Sequence, residues 1–256
     1  MKAGKLPLLL FLQNKYKDFE KDDLYSCVLC GEVFVNGACL RDPKAIISIN
    51  SSIEIRRKKY VSRGGFKLEY AITQWNITCL NKCVLDAGSS SGGFTDCLLQ
   101  KGVELVHAVD VGRNQLDYNL RRDPRVKVYE KTNIMSVSEL DPKPDFAVCD
   151  LSFRKIKKAA SHICSLTGGK KLIALIKPQF ECGLGRDFNG VLDDPDIIRE
   201  TLTNVIEYLP NENCCVYKIL ESPIRGRNGN REFLFFIFKD IKFPSGAETL
   251  LKPLFM

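Results

Sequence analysis

From residue 82 onward the chain alternates short apolar runs with segments whose apolar positions recur every three or four residues. The runs at 82–86, 105–110, 126–130, 146–150 and 171–177 predict strands, and the segments at 94–101, 114–121, 156–165 and 196–208 predict helices. Two further runs, 214–220 and 232–238, have no helical segment between them and predict an antiparallel pair. Such alternation builds a mostly parallel α/β sheet covered by helices, which gathers ligands at the carboxyl ends of its strands.

The first 55 residues follow a different pattern. Helical spacing at 6–15 and 21–30 gives way to short β-type runs at 32–35, 46–49 and 52–55. Gly31 stops the second helix, and Asn36-Gly37 is a strong hairpin signal. A helix pair with a small sheet makes a compact α+β unit that is marginal alone. Residues 56–63 (Arg56, Arg57, Lys58, Lys59, Tyr60, Val61, Ser62, Arg63) form a basic linker, read either as a solvated hinge or as phosphate contacts. Gly64-Gly65 then turns the chain into a helix over 67–75. The expected organisation is a small domain at 1–55, the linker, a large domain at 64–240, and a tail at 241–256 that no motif explains.

Composition alters this picture little. Of 256 residues, 45% are apolar and 27% charged, as in a soluble globular protein, and no run approaches the roughly twenty apolar residues of a membrane span. The net charge of +7 leans toward an acidic partner such as nucleic acid. With no signal peptide before them, the eleven cysteines read as reduced core thiols of a cytoplasmic protein. Cys27 and Cys30 have metal-ligand spacing, but no second pair completes a zinc site, so no metal is expected.

Chemistry concentrates in the stretch from Val84 to Phe94. An apolar strand runs into Asp86, then into Gly88, Ser89, Ser90, Ser91, Gly92 and Gly93, then into a helix at Phe94. Glycines let a backbone approach a ligand closely, and a helix start offers free N–H donors. The spacing is not that of a dinucleotide fingerprint. Asp110 ends the next strand, where a carboxylate can accept both ribose hydroxyls of an adenosine. S-adenosyl-L-methionine fits this pair: Asp110 takes the adenosine, the Gly88 turn takes the amino-acid end, and Asp86 reaches the ammonium directly or through water. Asn133 follows the third strand and is a candidate adenine contact. Asp150 and Lys177 end the fourth and fifth strands, so they share one cleft with Asp86 and Asp110. Lys67 precedes the sheet and Glu232 opens the last strand.

The chain resembles the TlyA family, known as haemolysin A and as rRNA 2′-O-methyltransferase. The resemblance rests on Gly31-Glu-Val-Phe-Val-Asn-Gly37, Tyr60-Val-Ser-Arg-Gly-Gly-Phe-Lys-Leu-Glu69, the loop from Asp86, Ala108-Val-Asp-Val-Gly112, Asp123-Pro-Arg-Val126, Lys131-Thr-Asn133, Asp150-Leu-Ser-Phe153, Lys177-Pro-Gln-Phe-Glu181 and Ser222-Pro-Ile224. It implies an S-four-type RNA-binding domain joined to an FtsJ-like, Rossmann-like methyltransferase fold. It implies a Lys-Asp-Lys-Glu tetrad at Lys67, Asp150, Lys177 and Glu232. It also implies methyl transfer from S-adenosyl-L-methionine to a cytidine ribose 2′-hydroxyl of ribosomal RNA, in the large subunit or in both subunits.

A ribose hydroxyl is a poor nucleophile, so transfer gains from loss of its proton during attack. Lys177 is read either as the base, oriented by Asp150, or as a charged group that steers the hydroxyl; both stay open. The family's usual basic start to the second helix is here the acidic Glu20-Lys21-Asp22-Asp23. That shifts the expected RNA contacts to Lys5, Lys15 and Arg41, joined by Lys2, Lys17 and Lys44, and raises the weight of Arg56, Arg57, Lys58, Lys59 and Arg63. The arginines at 113, 121, 122, 125, 225 and 227 extend that surface. The glycine-rich stretch 183–192 is a candidate lid. A monomer without stable membrane association is favoured. The other readings are a small-molecule methyltransferase, a membrane-acting haemolysin and an RNA-binding assembly factor without methyl transfer.

Overall fold

The computed structural model describes residues 4–17, 19–29, 31–56, 59–152, 155–183, 190–226, 229–241 and 246–255. In chain order the amino-terminal part contains β1 (Lys5–Pro7), α1 (Leu8–Lys15), α2 (Lys21–Leu29), β2 (Val33–Val35), β3 (Ala38–Cys39), β4 (Ile46–Ser48) and β5 (Ile53–Ile55). Sequence spacing predicts a helix from residue 6. Instead the chain pairs with β4 as a short strand until Pro7, which sets an extended backbone and caps α1. Leu8, Leu12, Leu24, Val28, Val33, Val35, Ile47 and Ile53 bury together as the core of this unit. Asn36 and Gly37, with φ of 49° and 84°, make the β2–β3 hairpin turn, a conformation that glycine and asparagine tolerate best. Cys27 is buried in α2, and Cys30 lies outside the described residues.

The remainder runs α3 (Gly64–Gln74), β6 (Cys83–Ala87), α4 (Gly93–Gln100), β7 (Leu105–Val109), α5 (Tyr118–Arg122), β8 (Val126–Tyr129), β9 (Phe146–Cys149), α6 (Ala159–Ser165), β10 (Lys171–Ile176), α7 (Pro178–Glu181), α8 (Pro195–Tyr208), β11 (Cys214–Glu221), β12 (Phe233–Lys239) and α9 (Ala247–Leu251). Among the described residues seven strands form one sheet in the order β11-β12-β10-β9-β6-β7-β8. The five strands from β8 to β10 are parallel, while β12 runs antiparallel to both β10 and β11. Its centre is apolar on both faces, as a sheet covered on two sides requires. Leu68, Phe94, Leu98, Val106 and Val148 belong to one core; Leu85, Ile163, Leu172, Leu202 and Phe235 belong to the other.

Several bounds differ from the sequence reading. The 114–121 helix shrinks to α5, because the Asp117 side chain caps it by accepting the Asn119 N–H at 2.9 Å. The 156–165 helix starts only at Ala159, after Lys158 with φ of 68°. Two short helices carry no legible pattern, α7 and α9. The second lies in the stretch read as an unexplained tail: Leu251 is buried in the same core as α8 and β11, and Phe255 stacks on Phe233 with ring centres 6.4 Å apart. The acidic start of α2 faces α5, where Asp22 approaches Arg122 at 3.7 Å and Tyr25 meets Tyr118 edge-on.

Candidate active site

The loop from β6 to α4 is held by its own backbone. Gly88 and Ser89 both donate N–H bonds to the Val109 carbonyl, at 2.8 and 3.2 Å, which folds the loop over the end of β7. Gly88 has a φ of 86°, and a Cβ there would stand 2.6 Å from the Asp150 carbonyl oxygen; a Cβ on Gly93 would stand 2.1 Å from Ser62 Oγ. These glycines admit neighbouring protein, which differs from the sequence expectation that they clear space for a ligand. The loop nevertheless lines two clefts.

The larger cleft, about 540 Å³, lies at the ends of β6, β7 and β9 and is walled by Gly88, Ser90, Asp110, Gln115, Asn133 and Asp150 among others. That volume is in the range of small-molecule sites. Asp110 accepts the Ser90 N–H at 2.9 Å and the Gly112 N–H at 2.6 Å. A carboxylate has about four acceptor positions, so capacity remains for two hydroxyls. Asn133 uses its side-chain oxygen to cap a 3-10 turn through the Met135 N–H at 3.0 Å, and it stays exposed.

Asp86 departs from the open contact expected of it. It is 0% exposed and absent from the walls of both clefts. Thr95 donates to its Oδ2 at 2.6 Å, while Oδ1 has no hydrogen-bond partner among the described residues. Burial pushes this carboxyl up to about 7 against the Thr95 bond, with the nearby Asp150 adding to the rise. Thr95 was not singled out in the sequence; its position in the first turn of α4, nine residues after Asp86, was the available signal.

The smaller cleft, about 240 Å³, brings together Lys67, Asp150, Lys177 and Glu232 with Arg63, Gly88, Ser90 and Phe94. Lys67 enters from α3, where Leu68, Ala71 and Ile72 are also buried, and forms an ion pair with Glu232 that leaves both side chains under a tenth exposed. Gly226 backs this glutamate; a Cβ there would stand 2.4 Å from its Oε1. Lys177, immediately after β10, places Nζ 2.5 Å from Asp150 Oδ1 and donates to Ser152 Oγ at 3.2 Å. Ser152 was missed in the sequence, although it stands two residues past Asp150. Two lysines and two carboxylates thus form neighbouring ion pairs, an arrangement in which removing one partner strands a charge in a low-dielectric site.

The basic positions expected to meet RNA scatter. Arg56 pairs with Glu54 at 2.7 Å and lies over the Phe34 ring. Lys59 pairs with Glu69 at 2.6 Å. Lys15 donates to the Ile53 carbonyl at 3.3 Å, and Arg41 donates to the Leu29 carbonyl at 3.1 Å at the end of α2. Lys5 is exposed on β1, and Arg63 is exposed at the mouth of the smaller cleft. Arg57 and Lys58 lie outside the described residues, as does most of the candidate lid at 183–192.

Comparison with known proteins places this geometry. Residues 60–239 match the FtsJ-like methyltransferase family. YqxC of Bacillus subtilis, named as an rRNA methyltransferase, is 36% identical over 245 residues, spanning 92% of this chain and 86% of the relative. The 16S/23S rRNA (cytidine-2'-O)-methyltransferase TlyA of Mycobacterium tuberculosis is 32% identical, over 81% of this chain and 80% of its own. A solved structure named as a hemolysin from Streptococcus thermophilus superposes with a TM-score of 0.70 at 30% identity, covering 98% of this chain and 96% of that one.

Proposed function

The chain belongs to the FtsJ-like methyltransferase family, and from that premise we propose that it methylates the 2′-hydroxyl of a cytidine ribose in ribosomal RNA, with S-adenosyl-L-methionine as donor. The observation that carries the reading is the convergence of the Lys67–Glu232 and Lys177–Asp150 pairs in a cleft that shares Gly88, Ser90 and Asp150 with the larger one. The names of the Bacillus and Mycobacterium relatives support the RNA substrate.

The residues present fit the donor. Gly88 and Ser90 line both clefts and offer the turn on which the amino-acid end would lie, and Asp110 retains acceptor capacity for ribose hydroxyls. Asn133 lines the adenine end. When bound, S-adenosyl-L-methionine supplies an electrophilic methyl group on a positively charged sulfur.

Lys177 donates to Ser152 and is ion-paired with Asp150, and its three N–H groups leave capacity to hold the ribose oxygen with its lone pair in line with the methyl group; such positioning is a large source of acceleration. Lys67 and Glu232 complete the wall opposite and orient the ribose. The held geometry supports the steering role of Lys177 over the base role. Single-turnover rates that stay level through alkaline pH agree with steering, while rates that keep rising there mark a base.

The amino-terminal unit and Arg63 supply RNA contacts in this reading, with Lys5 the exposed lysine on the first strand. The substrate implies a cytoplasmic protein. A membrane-acting role draws on the name of a relative; among the described residues no helix is long and apolar enough to cross a membrane.

The test is direct. The intact chain and Lys177→Ala are incubated with methyl-labelled S-adenosyl-L-methionine and unmodified ribosomal subunits. Label is expected in RNA with the intact chain, and a drop of about a hundredfold or more with the variant. RNA left unlabelled by the intact chain would sink the proposal. Mapping the label identifies the subunit.

A further inference from the structure

The segment that carries Lys177 holds a second ionisable group that methyl transfer does not use. Glu181 ends α7, one turn beyond Lys177, and is 8% exposed. Its Oε1 accepts the Ile156 N–H at 2.7 Å in a buried bond. Its Oε2 is buried and has no hydrogen-bond partner among the described residues. Lys177 and Glu181 both line a small hollow of about 10 Å³, together with Cys149, Leu151, Ile156 and Phe180 among others. A hollow of that size holds one water at most.

Two chain segments meet here twice. Asp150 and Ser152 lead in sequence to Ile156, and Lys177 leads to Glu181. At one end Lys177 Nζ meets Asp150 Oδ1 and Ser152 Oγ; at the other Glu181 meets the Ile156 N–H. Between the two contacts Leu151, which stands between Asp150 and Ser152, lines the same hollow as Ile156, Lys177 and Glu181. An ion pair on flexible side chains tolerates drift, whereas a buried bond to a backbone N–H does not. We infer that Glu181 is a positioning residue for Lys177: by holding Ile156 it fixes the segment bearing Asp150 and Ser152 against the turn bearing Lys177. The catalytic consequence rests on the methyl-transfer reading above; the pin itself rests on geometry alone.

The surroundings of Glu181 are mixed. Lys155 and Lys157 act on it from the loop, Cys149 is a buried thiol at the end of β9, Lys177 ends β10, and α8 contributes the apolar Ile198 and Leu202 to the adjoining core. Burial pushes the Glu181 carboxyl up to about 7 despite the Ile156 bond and both lysines. A carboxylate accepts more strongly than a carboxylic acid, so the pin tightens as pH rises through neutrality.

Two variants of the full chain test this. Glu181→Ala removes the acceptor; Glu181→Gln keeps an amide oxygen for Ile156 and removes the titration. Glu181→Ala is expected to lower kcat about tenfold or more while the S-adenosyl-L-methionine Kd, read by calorimetry, stays within about twofold. Glu181→Gln is expected to keep kcat within about threefold at alkaline pH and to flatten the rise of kcat through about pH 7. Amide exchange at Ile156 is expected to quicken in Glu181→Ala and to stay protected in Glu181→Gln. Wild-type turnover by Glu181→Ala, or unchanged Ile156 exchange in it, overturns the inference. If Glu181→Ala does not fold, Glu181→Gln decides: a flattened profile supports the pin, and a wild-type profile overturns it. Should the wild-type chain transfer no methyl group to RNA, the methyl-transfer reading fails, while exchange at Ile156 still decides the pin.

Discussion

Asp86 has no exposed surface, and its stability effect depends on pH with a definite sign. Its carboxyl titrates at about 7 in the folded chain, against about 3.9 for an unperturbed aspartate. Between those values the folded state holds the proton more tightly than the unfolded chain. Wild-type stability therefore falls as pH rises from about 4 to about 7, and the effect is level above that window. Asp86→Asn lacks this titration, so urea melts are expected to show the variant gaining on wild type across the window; parallel pH dependences would refute the assignment. Its orphan oxygen also explains why sequence alone misjudged how the site is built. That an acid ends a strand beside a glycine loop is legible in one dimension. That Thr95 covers one oxygen, and that Gly88 and Gly93 make room for Asp150 and Ser62, depends on neighbours distant in the chain.

Among the secondary-structure elements, β6, β7, β9 and β10 were readable because each is a mostly apolar run, and buried parallel strands need such runs. The helices α7 and α9 were not, since one turn cannot display a period. The α9 helix shows what this hides. Leu251 is 1% exposed in the core beneath α8, and Arg231, adjacent to Glu232, sits beside the stacked Phe233 and Phe255 rings while pairing with Glu221 at 2.6 and 2.8 Å. A buried leucine truncated to alanine typically destabilises by about 2–5 kcal/mol. Leu251→Ala is expected to fall in that range by urea denaturation; a change under about 0.5 kcal/mol would mean α9 is not part of the cooperative core. The α2–α5 contact is of another kind. Its ion pair is long and more than half exposed, and such pairs contribute little.

For the whole molecule, the parallel sheet follows from the alternation, while the reversal that sends β9 to the other side of β6 after β8 was not legible in it. The RNA-facing surface was less legible. Net charge states that cations exceed anions, not which cations are free; Arg56, Lys59, Lys15 and Arg41 each have partners within the chain. Arg63 is exposed and lines the smaller cleft, and on the proposed reading it is, among the described basic residues, well placed to meet a phosphate of the substrate. Arg63→Glu is expected to weaken rRNA binding and to reduce the slope of log affinity against log salt by about one, measured by filter binding from low to physiological salt. An unchanged slope would remove Arg63 from the interface.

Gly88, Ser90 and Asp150 line both clefts. On the proposed reading, donor and polynucleotide therefore lean on the same three residues. A change at any of them is felt by both guests at once, so donor affinity and turnover on RNA move together.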